Sequence, residues 1–217
     1  MSAVAEMLKV TEAAVVSRVS ARDVNRAIDE HILPDAFISK DNGRLVFAGA
    51  CSFISFYFEA AAHLTSEERL AAIRAIAPRL ARSRKLAWAA LLREDWTVRH
   101  DFLTIDLIPF LKRTSERLSD LEAAREMVMS SDDVLGGSPV FRGTRVPVYD
   151  VAASVAAGHS LDRILAAYPS LDAEKVRLAT IYAEANPVRG RPRASGTLPE
   201  GSVVVTDRRV PRLRKAG

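Results

Sequence analysis

The sequence predicts a mainly α-helical chain with short β hairpins, an α+β fold class, and three observations carry that expectation. Apolar residues recur at helical spacing behind capping residues at several points along 217 residues. Only brief β-type runs interrupt them, one of them around Asn42-Gly43, a dipeptide suited to a two-residue hairpin. Hydrophobic residues make up 48% of the chain, enough for most of it to bury a core.

The N-terminal unit, residues 1–48, opens with Thr11 as the expected cap of a short helix, TEAAVVSR. Ser20 then precedes a second helix with Asp23 three residues on, the pattern of a capping box. Val24, Ala27 and Ile28 form one face of that helix, while Arg22, Asn25, Arg26 and Asp29 line another. After Pro34, AFISKDNGRLVFA supplies two β-type runs, with Lys40 and Arg44 flanking the tip. Two short helices followed by a hairpin read as a helix-turn-helix with a wing. Arginine can pair bidentately with guanine and asparagine with adenine, so Arg22, Asn25 and Arg26 are candidate base contacts. Lys40 and Arg44 are candidate phosphate contacts, an ordinary charged hairpin being the alternative.

Residues 49–130 read as a helical connecting or dimerisation region. Helices are expected over Phe53–Ala62, Ser66–Arg82 with Ser66 as cap, and Leu107–Leu118. An extended segment is expected near Thr97–Ile105 and a strand near Ala124–Met129. Arg79, Arg82, Arg84 and Lys85 could meet phosphate, but a charge run on a helix is more often a solvated face.

Residues 131–185 contain a Pro139-Val140-Phe141 strand, a turn at Gly143, and a second strand Arg145-Val146-Pro147-Val148 that Pro147 restricts to an edge. Helices follow over Tyr149–Ala157, stopped by Gly158; after Ser160, ended by Pro169; and after Asp172, with Leu171 and Val176 as a hydrophobic staple. This is a compact tri-helical unit of helix-turn-helix type. Lys175 and Arg177 sit in the first turns of its last helix, a candidate recognition helix. Arg142 and Arg145 are either an exposed strand rim or contacts to phosphate or a paired strand.

The charge is divided unevenly. Residues 186–217 hold seven arginines and Lys215 against Glu200 and Asp207, a net +6, so the +4 of the whole chain leaves −2 for residues 1–185. Four prolines and four glycines fall in the same 32 residues, so this basic tail is expected to be disordered in isolation and to seek an acidic partner. Val203, Val204 and Val205 could add a strand to a partner's edge. Arg208, Arg209 and Arg212 would then lie beyond that strand. Gly190-Arg191-Pro192-Arg193 matches a minor-groove AT-hook core, which makes DNA a rival target for the tail.

GGSPVFRGTRVPV followed by AGHSLDRILAAYPSLDAEKVRLATIYA resembles the VapB-type antitoxin family. That family is defined by a G-x-P-x-x-x-G-T-R-[IV]-P-V strand and a tri-helical domain with a Y-P-x-L turn, long filed as a domain of unknown function. VTEAAVVSRVSARDVNRAIDEHILP is similar to the MerR-type winged helix-turn-helix. Together they resemble two-domain antitoxins paired with PIN-like ribonuclease toxins. The resemblance implies operator DNA, a cognate PIN-like toxin, and a homodimer or higher hetero-oligomer as partners. It also implies a C-terminal segment that wraps the toxin, with Val203, Val204, Val205, Arg208, Arg209 and Arg212 as the toxin-binding residues.

Two other classes stand beside this reading. One is a stand-alone winged helix-turn-helix transcription regulator. The other is an enzyme, against which no Ser/His/Asp, Cys/His or paired-carboxylate constellation stands out, so no catalytic residue, cofactor or metal is expected. Asp132-Asp133 reads as a loop before Gly136. The single Cys51 and the lack of a secretory start or a sufficient apolar span predict a cytoplasmic protein with no membrane partner.

Overall fold

Met7-Leu8-Lys9 forms a three-residue strand, β1 (Met7–Lys9), with Leu8 inward and its neighbours outward. The computed structural model describes residues 6–41, 43–100, 103–131 and 137–188. The chain divides after Pro187 into two units, and the described residues belong to the first, apart from Val188. The fold is α+β, mainly helical with small antiparallel sheets.

Helix α1 (Val10–Ser17) starts from Lys9, not Thr11, and Glu12 reaches back to accept the Lys9 backbone N–H at 2.8 Å. The Thr11 hydroxyl instead donates to the Ala185 carbonyl at 2.6 Å, a bond across 174 residues. Arg18 ends the helix at φ +56°, in the left-handed region that side chains other than glycine adopt at some cost. Helix α2 (Ala21–Asp29) has the expected Ser20/Asp23 capping box and buries Val24, Ala27 and Ile28. A 3₁₀ turn over Asp35–Phe37 replaces the start of the expected strand, because Phe37 must turn into the core, where it stacks on Phe47 at 5.7 Å. Strands β2 (Ile38–Ser39) and β3 (Leu45–Phe47) then pair antiparallel, with Gly43 at φ +101° in the connection. The sheet order is β1-β3-β2, so β3 is central and Val46 lies opposite both Leu8 and Ile38.

Helix α3 (Cys51–Glu59) and a 3₁₀ turn over Ala60–Ala62 occupy the first expected helical stretch. Helix α4 (Ser66–Arg82) is capped by Thr65 rather than Ser66, through a reciprocal pairing with Glu68. The Ser66 hydroxyl pairs with the Tyr57 hydroxyl at 2.9 Å. A short helix, α5 (Trp88–Leu91), follows, and Trp96 is fully buried with its indole N–H on the Leu91 carbonyl at 2.7 Å. The extended segment is a hairpin of β4 (Thr97–His100) and β5 (Leu103–Asp106).

Helix α6 (Ile108–Glu126) runs well past the expected end at Leu118. Leu111, Thr114, Leu118, Leu121 and Ala124 form one unbroken buried stripe, and that spacing keeps the helix going. The strand expected near Ala124–Met129 is thereby reduced to β6 (Val128–Met129), paired with β7 (Val140–Phe141). The second strand expected at Arg145–Val148 is a single bridge between Val140 and Pro147. Pro147 already caps helix α7 (Val148–Ala156), one residue earlier than the sequence suggests, and Gly158 follows at φ +78°. Ser160 caps α8 (Leu161–Ala167) and Asp172 caps α9 (Ala173–Ala185), both as expected.

Two apolar clusters hold these elements. The larger joins α1 to α6 and the N-terminal sheet; the smaller gathers Val128, Phe141, Val148, Val151, Ile164 and Leu171. Helix α9 belongs to both: Leu178, Ile181 and Ala185 enter the larger cluster, Val176 and Ala179 the smaller. Among the described residues no helix is long and apolar enough to cross a membrane.

Candidate nucleic-acid interface

The polar stripe of α2 lies opposite its buried face, and Arg22, Arg26 and Asp29 are all exposed. Its members are in very different states. The Asn25 amide donates to the Ala21 carbonyl at 2.9 Å and accepts from Arg44 at 2.9 Å, so both of its ends are engaged. Arg44 also bridges to the Asp29 carboxylate at 2.9 Å, which ties the hairpin to α2. Arg26 forks onto Glu30, its Nε 2.9 Å from both carboxylate oxygens, and this bonding raises its pKa. Arg22 and Lys40 are exposed and make no ion pair among the described residues. Among the described residues the stripe thus presents one unpaired cation, Arg22, beside a self-paired network, and the hairpin adds Lys40.

The C-terminal candidates behave otherwise. Arg177 holds Asp120 of α6 with two hydrogen bonds of 2.9 and 2.8 Å and also bonds Glu174. Those bonds, Glu174 first and Asp120 second, push its pKa up. Lys175 is half-buried and paired with Asp172 at 3.0 Å. Arg142 donates from Nε to the Glu126 carbonyl at 3.0 Å, which fastens the turn after β7 to the end of α6. Arg145 is exposed with no ion-pair partner among the described residues. Arg177 and Arg142 therefore connect elements of the fold, a role that chain separations of 57 and 16 residues hide from sequence reading.

Sequence reasoning also missed two arginines. Arg84, counted among a solvated run, lies over the Phe37 and Phe47 rings at 5.3 and 4.9 Å and donates to the Ala36 carbonyl, bracing the base of the hairpin. Arg125 bridges Glu6 at 2.5 Å and the buried Glu12 at 3.0 Å. Burial lowers the Arg125 pKa, but the hydrogen bonds to Glu6 and Glu12 outweigh it and the net shift is upward.

Among the described residues no group of three His, Cys, Asp or Glu side chains is placed to hold a metal ion. Burial pushes the Cys51 thiol up to about 12, which leaves it unreactive at neutral pH. Val203, Val204, Val205, Arg208, Arg209 and Arg212 lie outside the described residues, as do Asp132, Asp133 and the GRPR segment.

Residues 128–183, which span β6 to the last turns of α9, match the family described as "Protein of unknown function (DUF433)". Over its whole length the chain is 74% identical to a Sinorhizobium fredii protein described as "Uncharacterized protein y4eO", covering 98% of it, and the chain belongs to that protein's family. No solved structure matches.

Proposed function

We propose that the chain is the antitoxin of a type II toxin–antitoxin pair. In this reading it represses its own operon by binding DNA through a MerR-like winged helix-turn-helix and restrains a PIN-like ribonuclease with its basic tail. The observation that carries the DNA-binding half is the α1–turn–α2 pair with the β2–β3 hairpin fastened to α2 by Arg44. A helix with one face buried and a cation-bearing face exposed is the usual reader of a major groove, and a hairpin beside it is placed to meet phosphate. Arg22 and Lys40 need break no internal ion pair to do this, whereas Arg26, Asn25 and Arg44 exchange internal partners for DNA.

The toxin half rests on charge and on the VapB-type resemblance of the DUF433 segment. A PIN-type nuclease gathers carboxylates around divalent metal, and an arginine entering that site would satisfy them with charge-assisted bonds. The net +6 of residues 186–217, attached to a body of −2, suits such a target.

The test has two arms. Fluorescence anisotropy on the promoter upstream of the chain's own gene should show binding tighter than to a scrambled duplex at the same salt. Co-expression with the adjacent gene's product should yield a stable complex that truncation after Asn186 abolishes. Promoter binding without any such complex would favour a stand-alone regulator. Equal affinity for promoter and scrambled DNA would remove the repressor reading altogether.

A further inference from the structure

The turn between α1 and α2 opens on a cavity of about 870 Å³ that neither half of the proposed function uses. Val15 and Val19 give it an apolar wall, Arg18 and Arg117 face it from α1 and α6, and Asp23 and Glu184 complete its lining. We propose that this cavity is a binding site for a small anionic metabolite, whose carboxylate or phosphate head sits between Arg18 and Arg117.

Two like charges face this space. Neither arginine forms an ion pair among the described residues, although Arg125 on α6 and Arg177 on α9 do. The Nε of Arg117 is shut away from solvent and has no hydrogen-bond acceptor. A buried donor without a partner is costly, and native structures rarely leave one without a reason. Burial and the neighbouring charge of Arg18 lower the Arg117 pKa, so two guanidinium groups repel across the same space.

The carboxylates nearby do not resolve this. Asp120 is held bidentate by Arg177. Asp23 is committed to the N-terminus of α2, accepting from the Ser20 N–H and hydroxyl. Glu184, exposed on α9, favours the charged form of Arg117 but makes no ion pair with it among the described residues. An anionic head between the two guanidinium groups offsets their mutual repulsion, and the valines offer apolar contact to what it carries. Glu184 then favours ligands with a hydrogen-bond donor beyond the head.

The experiment uses the full chain and two probes, inorganic phosphate and succinate, each against chloride at matched ionic strength. Thermal unfolding should show a saturable rise in Tm with at least one probe, and which of the two acts identifies the head. Arg117→Gln should weaken that response at least tenfold in apparent Kd while melting in chloride no lower than the wild type, because it removes a like-charge contact. Arg74→Gln, an exposed arginine on α4, should keep the full response. If Arg117→Gln does not fold, Arg18→Gln at the rim makes the same test. A flat response to both probes, or one that survives at both arginines, overturns the proposal.

Discussion

Helices α2 and α9 each carry basic residues in their opening turns, and they are built in opposite ways. Helix α2 buries one face and leaves the other to solvent, with Arg22 in no ion pair among the described residues. Helix α9 contributes to both apolar clusters, and its first-turn cations are spent on Asp172, Glu174 and Asp120. The comparison teaches that a basic stripe does not identify a reader; what distinguishes the two is how many sides of the helix the core already uses. Helix α2 keeps one face outside the core, whereas α9 is packed into both clusters.

The largest expected effect lies in α9. Leu178→Ala removes a buried side chain of α9 from the larger cluster and should cost roughly 2–5 kcal/mol. Because α9 serves both clusters, urea unfolding should remain one cooperative transition, shifted as a whole. Two separated transitions would mean that the C-terminal helices fold independently and that α9 does not join the two clusters.

Removing a cap should do less. Asp172→Ala leaves the Lys175 N–H without its acceptor and should cost about 1 kcal/mol. The hydrogen bonds from Lys175 lower the Asp172 pKa, so this stabilisation is complete above the ordinary aspartate value of about 3.9 and fades as pH falls through the lower folded one. The Tm gap between variant and wild type should therefore be wide at about pH 7 and narrower at about pH 2. A gap that widens on acidification would give the cap a different basis.

Arg177→Ala should cost least, about 0.2–1 kcal/mol, because the pair with Asp120 is partly exposed and screened. A double-mutant cycle with Asp120→Ala measures the coupling, and zero coupling would mean that the bridge adds nothing. Cys51 sharpens the same contrast from within the core. Fully buried and pushed up to about 12, its thiol should resist alkylation until urea unfolds the chain. Rapid labelling under native conditions would show that the larger cluster opens.

The parts of this arrangement that were legible in the sequence are local. The Ser20/Asp23 box, the Ser160 and Asp172 caps, the inward face of α2 and the Gly43 turn each depend on residues a few positions apart. The failures involve distance. Thr11 looks like a cap, but its hydroxyl is taken by Ala185 from the other end of the fold. Helix α6 outran its expected end because Leu121 and Ala124 continue a stripe whose partners lie in the N-terminal unit. The stripe Arg22, Asn25, Arg26 was readable as a face. That Arg44 would cross 19 residues to occupy Asn25 was not, nor that Asp120 would hold Arg177.

Helix α2, not α9, is the proposed DNA contact, and promoter affinity tests this most directly. Promoter affinity would be measured by anisotropy across a salt series for wild type, Arg22→Ala and Lys175→Ala, all confirmed folded by their melting transitions. Arg22→Ala should lose about 1–3 kcal/mol of promoter affinity while Lys175→Ala matches the wild type in affinity and salt slope. Unchanged binding by Arg22→Ala, together with a loss in Lys175→Ala, would contradict it and move the interface to α9.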